Sequence, residues 1–290
     1  MPTALKPLRG VRILSLALNL PGPAALMRCQ HMGATCTKAE PPSGDPMGLY
    51  NKPAYAALHT GVKVLTADLK TEAGQKTLHK ALAKTDVLLT SFRPSAMVKL
   101  GLTWKTLHKQ YPTLSMVCIV GAPGARAEEP GHDLTYLADN GLVTGFDLPP
   151  TLYADMGGSL MASEAVLQAT VARLTKGKGV NLEVALSDAA AYLAQPRNWG
   201  LTLPTGAVGG AHAGYRVYPC KDGRVAVAAL EPHFAAALCA AAGVNSSADR
   251  LAMFNPATHQ TIAAWLLKQT RKSLDKLAVD KDIPLHTLLK

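Results

Sequence analysis

What the 290-residue sequence lacks narrows the reading first. Its five cysteines (Cys29, Cys36, Cys118, Cys220 and Cys239) are odd in number and widely spaced, with no Cys-x-x-Cys pair. That argues against a disulfide framework and a zinc site, and fits a reducing cytoplasm. Aromatics are only 5% of the chain, and few lie among the scattered lysines Lys70, Lys76, Lys80, Lys84, Lys99, Lys105 and Lys109. Without rings for base stacking, and with no helix-turn-helix or RNA-binding signature, nucleic acid is not expected as a partner. No apolar run approaches the roughly 18 residues of a spanning helix, so no membrane partner is expected either. Met1 to Gly10 is basic and proline-bearing and lacks a signal-peptide core. No G-x-G-x-x-G follows the first strand, which leaves a dinucleotide site with little support. P-loop, H-E-x-x-H and G-x-S-x-G motifs are also missing.

What is present is a chain 48% hydrophobic, long enough for one large core or a large and a small one. The net charge of +10 is unevenly spread. Residues 1–110 hold 15 Lys/Arg against 5 Asp/Glu, and residues 111–290 hold 15 of each. A field of that sign in the first part of the chain draws a polyanion or a phosphorylated small molecule.

Strand and helix patterns alternate through this basic part. Val11–Leu18, Ala34–Ala39, Val62–Ala67, Asp86–Thr90 and Leu114–Val120 read as strands. Ala24–Met32, Glu72–Ala83 and segments from Pro94 and Thr106 read as helices between them. The rhythm predicts an α/β fold, a parallel sheet flanked by helices. Leu134–Gly141 and about Leu160–Leu174 read as further helices, with Gly157-Gly158-Ser159 before the second. Val180–Leu186 alternates like a strand, Asn198–Gly214 reads as a connector, and Tyr215–Leu230 as two strands around a tight turn. The remainder reads as mostly helical. The expected division is a large domain over 1–204 and a smaller α+β domain over 205–290.

Three segments place ionisable side chains beside glycine, proline or apolar neighbours: Pro130-Gly131-His132-Asp133, Tyr153-Ala154-Asp155-Met156-Gly157-Gly158-Ser159, and Ala229-Leu230-Glu231-Pro232-His233-Phe234. Apolar surroundings raise a carboxyl's pKa and lower a histidine's, bringing both toward neutrality for acid–base work. The residues alone leave plainer roles open: a His-Asp hydrogen bond, Asp155 capping the helix that follows, Glu231-Pro232 as a turn.

As an ordered set, the segments resemble the family III CoA-transferases, with their α-methylacyl-CoA racemase and formyl-CoA transferase-like branches. The opening Leu8-Arg9-Gly10-Val11-Arg12-Ile13-Leu14, then Pro21-Gly22-Pro23, is similar to the family's first strand and loop. Lys38 to Asp45, Asp68-Leu69-Lys70, Asp86-Val87-Leu88 and Ser91-Phe92-Arg93-Pro94 match the next landmarks. The resemblance implies a CoA thioester as substrate, with no permanently bound cofactor and no metal. It implies that Arg93 contacts the CoA phosphates, a task suited to a fork of N–H donors, with Lys63 and Lys38 as further CoA-binding groups. His59-Thr60-Gly61-Val62-Lys63-Val64 stands where relatives read Asn-Arg-Gly-Lys-Arg-Ser, so two basic groups are missing.

For the reaction, the resemblance implies racemisation of a 2-methylacyl-CoA. His132 and Asp155 would exchange protons on opposite faces of the α-carbon, Glu231 would orient the histidine, and Asp133 would follow it as in the racemases. Backbone N–H groups at Gly157 and Gly158 would hold the enolate oxygen. The alternative is CoA transfer between carboxylic acids through an Asp155 acyl anhydride. A third reading is an acyl-CoA-binding protein without turnover. The resemblance further implies an interlocked homodimer and a C-terminal return segment missing after Pro284.

Overall fold

A computed structural model gives the structure of the protein and describes residues 5–244 and 251–289. The chain divides into two compact units, Met1–Ala194 and Gln195–Lys290. The division falls earlier than the expected 204/205 boundary, close to Pro196 inside a helix rather than in the connector.

The first unit is built on six strands: β1 (Arg12–Ser15), β2 (Thr35–Glu40), β3 (Lys63–Thr66), β4 (Val87–Thr90), β5 (Ser115–Val120) and β6 (Asn181–Ala185). They form one sheet in the order β3-β2-β1-β4-β5-β6, every neighbouring pair parallel. Helices α1 (Pro21–His31), α2 (Pro46–Tyr50), α3 (Lys52–Leu58), α4 (Glu72–Leu82), α5 (Pro94–Lys99), α6 (Trp104–Gln110), α7 (Asp133–Asp139), α8 (Tyr153–Lys176) and α9 (Leu186–Asn198) surround it. The parallel α/β fold expected from the alternation is the one observed.

Their starts are written in the sequence. Pro21, Pro46 and Pro94 open α1, α2 and α5, where a missing N–H costs nothing. The Thr71 and Thr103 hydroxyls cap α4 and α6 by accepting from Gly74 N and Thr106 N. Strand periodicity then sorts the core onto two faces. Ile13, Val87, Leu89, Val117 and Ile119 pack with Leu26, Leu137 and Val166. The alternate residues Leu14, Leu88 and Met116 pack with Leu78, Leu82, Met97 and Leu107. Each such side chain withdrawn from water contributes about 1.5–3 kcal/mol.

Helix α8 departs from the sequence reading. It begins at Tyr153 rather than after the glycine pair, and it ends at Gly177 in the left-handed region (φ 69°). Near its far end Arg173 donates to Asp86 at 2.7 Å, and Arg12 donates to the same carboxylate through its backbone N and its guanidinium.

The second unit holds an antiparallel sheet of β7 (Tyr215–Cys220), β8 (Gly223–Ala228) and β9 (Leu285–Leu288), in that order. Helices α10 (Pro232–Ala242), α11 (Pro256–Leu266) and α12 (Arg271–Asp280) complete it. Val225 and Val227 pack against Leu238, Ile262, Leu266 and Leu274. The stretch after Pro232 is mostly helical, as read from the sequence, with β9 as an addition. Four residues between helix and chain end give too short a pattern to register.

Candidate active site

In a doubly wound sheet the ligand crevice opens beyond the carboxyl ends of the strands, where the strand order reverses. Here the reversal lies between β1 and β4. A cavity of about 160 Å³ opens there, lined by Pro21 after β1, Ser91 and Arg93 after β4, Gly121 after β5, Leu186 after β6, and Tyr136 of α7.

His132 is the N-cap of α7. Its extended backbone (φ −141°, ψ 170°) is fixed by a local loop of bonds. Its N–H donates to Thr135 Oγ1 at 3.1 Å, and that hydroxyl donates back to the His132 carbonyl at 2.8 Å. The imidazole is left exposed. Asp133, the next residue, turns inward and is buried. Its Oδ1 accepts the backbone N–H of Asp155 at 2.9 Å, stitching the start of α7 to the first turn of α8.

Asp155 is half-buried near the start of α8, and among the described residues its carboxylate accepts no hydrogen bond. Burial pushes its carboxyl up to about 6, the negative charge of Asp133 adds to the rise, and His132 opposes it. Asp155 and the exposed His132 thus lie within each other's electrostatic field.

Arg93 is exposed at the N-cap of α5. Glu128 sits in the field of Arg93 and Lys99, and accepts from the Ser95 backbone N at 2.5 Å and the Ser95 hydroxyl at 2.9 Å. Lys99 and Lys70 line a neighbouring surface cleft with Gln75 and Leu100. Basic groups thus gather at the same strand ends as the cavity.

Three of the expected CoA-binding positions read differently in the fold. Lys38 is fully buried. Its ammonium pairs with Asp45, with Glu40 at 3.1 Å and with His59 Nε2 at 2.9 Å, so all three donors are used and none faces a ligand. Gly157 and Gly158 lie inside α8, where their amides belong to the helix ladder. They are packing glycines: a Cβ on Gly158 would overlap Leu186, and one on Gly157 would meet Leu193 at 3.2 Å. The Asp155 N–H is likewise spoken for, by Asp133. Lys63 lies exposed on the edge strand β3. Glu231 belongs to the second unit, where it is exposed at the N-cap of α10 without a side-chain cap bond.

One residue was not singled out from the sequence. Tyr136 is one helical turn beyond His132, it is buried, and it lines the cavity. Burial raises its hydroxyl's pKa, the charge of Asp155 adds to the rise, and Arg93 works against it. The available signal was spacing: His132 and Tyr136 fall at i and i+4 on one face of a helix.

A parallel sheet in this order, with carboxyl, imidazole and guanidinium groups beyond its strand ends, defines the class as a doubly wound α/β protein. The chain belongs to CoA-transferase family III, whose model matches residues 8–290. It is 31% identical over 224 residues to the cinnamoyl-CoA:phenyllactate CoA-transferase of Clostridium sporogenes, covering 67% of this chain and 54% of that protein. It is also 31% identical over 257 residues to the alpha-methylacyl-CoA racemase of Mus musculus, covering 82% of this chain and 65% of that one. The chain therefore spans about half to two-thirds of these relatives' length. In fold, it matches the crystal structure of a hypothetical protein from Mycobacterium tuberculosis with a TM-score of 0.84 at 24% identity, over 99% of this chain and 86% of that one.

Proposed function

We propose that the protein is an enzyme of acyl-CoA thioesters that racemises or epimerises a 2-methylacyl group by proton transfer between Asp155 and His132. The observation that carries this reading is the Asp155 carboxyl, raised to about 6 by burial and by Asp133, with an exposed imidazole close enough to act on it. One group in its basic form removes the α-proton, and the other in its acid form returns a proton to the opposite face. A matched pair of this kind contributes roughly 10²–10⁴-fold.

Arg93 supplies a bidentate donor for the CoA phosphates, with Lys99, Lys70 and the edge-strand Lys63 adding to the field. Lys38 is not part of that set. For the acyl group, Leu160, Met161, Leu167 and Leu193 line a largely apolar cavity of about 540 Å³ that begins at Gly157, near Asp155. Its chemistry suits a branched hydrocarbon chain. Glu231 and a homodimer complete the proposal. Val171 and Leu174 expose apolar surface on the far half of α8, which is compatible with self-association in a cytoplasmic protein.

CoA transfer through an Asp155 anhydride is the second reading, supported by the Clostridium sporogenes relative. A carboxyl that keeps its proton to about pH 6 is better suited to carrying protons than to attacking as an anion, and this favours the first reading. The test is α-carbon exchange. Incubation of a 2-methylacyl-CoA in D2O, with no acceptor acid, should incorporate deuterium at the α-carbon, and Asp155→Asn should abolish interconversion of the two epimers. Acyl exchange that needs an acceptor acid, without α-deuteration, establishes transfer instead. Binding of CoA with neither activity leaves a non-catalytic acyl-CoA-binding protein.

A further inference from the structure

We propose that the Tyr136 hydroxyl is a ligand-contacting hydrogen-bond donor, directed at a carbonyl oxygen on the arm that joins the CoA phosphates to the thioester. This rests on the acyl-CoA reading of the site. Three observations carry it. First, the Tyr136 hydroxyl makes no hydrogen bond among the described residues, while the backbone around it is paired: its N–H donates to the His132 carbonyl and its carbonyl accepts from Asn140. The ring is buried and the hydroxyl keeps some solvent access, so its hydrogen-bonding capacity is free for a molecule that enters the cavity. Second, the side chain lines the cavity at the carboxyl ends of the strands, together with Arg93. Third, the fold has cleared room for the hydroxyl itself. A Cβ on Gly131 would come within 2.5 Å of the oxygen and 2.6 Å of Cε1, and one on Gly121 would overlap the oxygen outright.

Electrostatics place the phenol within reach of both ends of the proposed ligand path, Arg93 at the phosphate side and Asp155 at the reacting side. The same surroundings keep it protonated, so it acts as a donor. The carbonyls of the CoA arm, two amides and the thioester, are the acceptors a phosphate-anchored ligand would bring past this point.

Tyr136→Phe keeps the ring between the two glycines and removes only the donor. Calorimetric titration with CoA and with a 2-methylacyl-CoA should show binding weakened about five- to thirty-fold, with the melting temperature essentially unchanged. Weakening toward both ligands supports contact with an amide carbonyl. Weakening confined to the acyl thioester supports contact with the thioester carbonyl. Binding of both within about two-fold of wild type overturns the proposal. Should the variant fail to fold, the near-ultraviolet tyrosine difference spectrum of the wild-type protein decides. A phenol perturbation on adding CoA supports the contact, and a flat spectrum at saturating CoA overturns it. If the wild-type protein binds neither ligand, the acyl-CoA reading itself has failed and this inference falls with it.

Discussion

Replacing Asp155 with Asn should make the protein more stable while it destroys activity. The carboxyl is pushed from 3.8 to about 6, chiefly by burial. Two units correspond to roughly 3 kcal/mol between the protonation states, and partial solvent access reduces that to about 1.5–3 kcal/mol. A raised pKa means that the folded state holds the proton longer than the unfolded chain does. The Asp155 contribution to stability is therefore most favourable below about pH 4, falls as pH rises from about 4 to about 6, and is level above that. Asparagine cannot ionise, and no hydrogen bond to the carboxylate is lost by the change. Asp155→Asn should exceed wild type by about 1.5–3 kcal/mol at about pH 8 and match it near pH 4. In a unit of this size that is a rise of roughly 4–10 °C in melting temperature. Thermal or urea unfolding across the pH series provides the measurement. A variant no more stable than wild type at alkaline pH, or a gap that fails to close toward acid, would refute the assignment of Asp155 as a group strained by its ionisation.

The wild-type pH–rate profile should lose activity on the acid side with a midpoint near 6, and Asp133→Asn should move that midpoint downward, because a neutral amide still accepts the Asp155 N–H while the repelling charge is gone. Lys38→Ala should cost about 3–5 kcal/mol in urea unfolding, since it strands Glu40 and Asp45 without their buried counter-ion; Lys63→Ala should leave stability unchanged and weaken CoA binding alone. Gly158→Ala should destabilise by about 1–3 kcal/mol despite alanine's better helix propensity, because its methyl group enters the space of Leu186; unchanged denaturant midpoints would contradict that packing.

The sheet was legible because buried parallel strands are short apolar runs, and Leu114–Val120 or Asp86–Thr90 can hardly be read otherwise. The order of the strands was not legible, since periodicity says which residues are buried but not which strand lies beside which. His132, Asp133 and Asp155 stood out by their glycine and proline neighbours. The inward turn of Asp133 onto the Asp155 amide did not, because it is a contact across 22 positions of sequence. The glycine pair misled for a physical reason. Glycines suggest a helix start, but here they let α8 approach α9. Lys38 misled because basic residues are normally solvated, and only the fold brings two carboxylates and a histidine around one ammonium.

Helix α8 carries Asp155 in its first turn and Arg173 near its last, and Arg173 is pinned to Asp86 where β4 begins. Eighteen residues of helix span about 27 Å. The Asp155 carboxyl is thus carried on a rod fastened at both ends, by Asp133 at its tip and by this ionic joint at its base. The distant ionic joint of Arg12, Asp86 and Arg173 is in this sense part of the sighting mechanism, and loosening it would blur the position of a group it never touches.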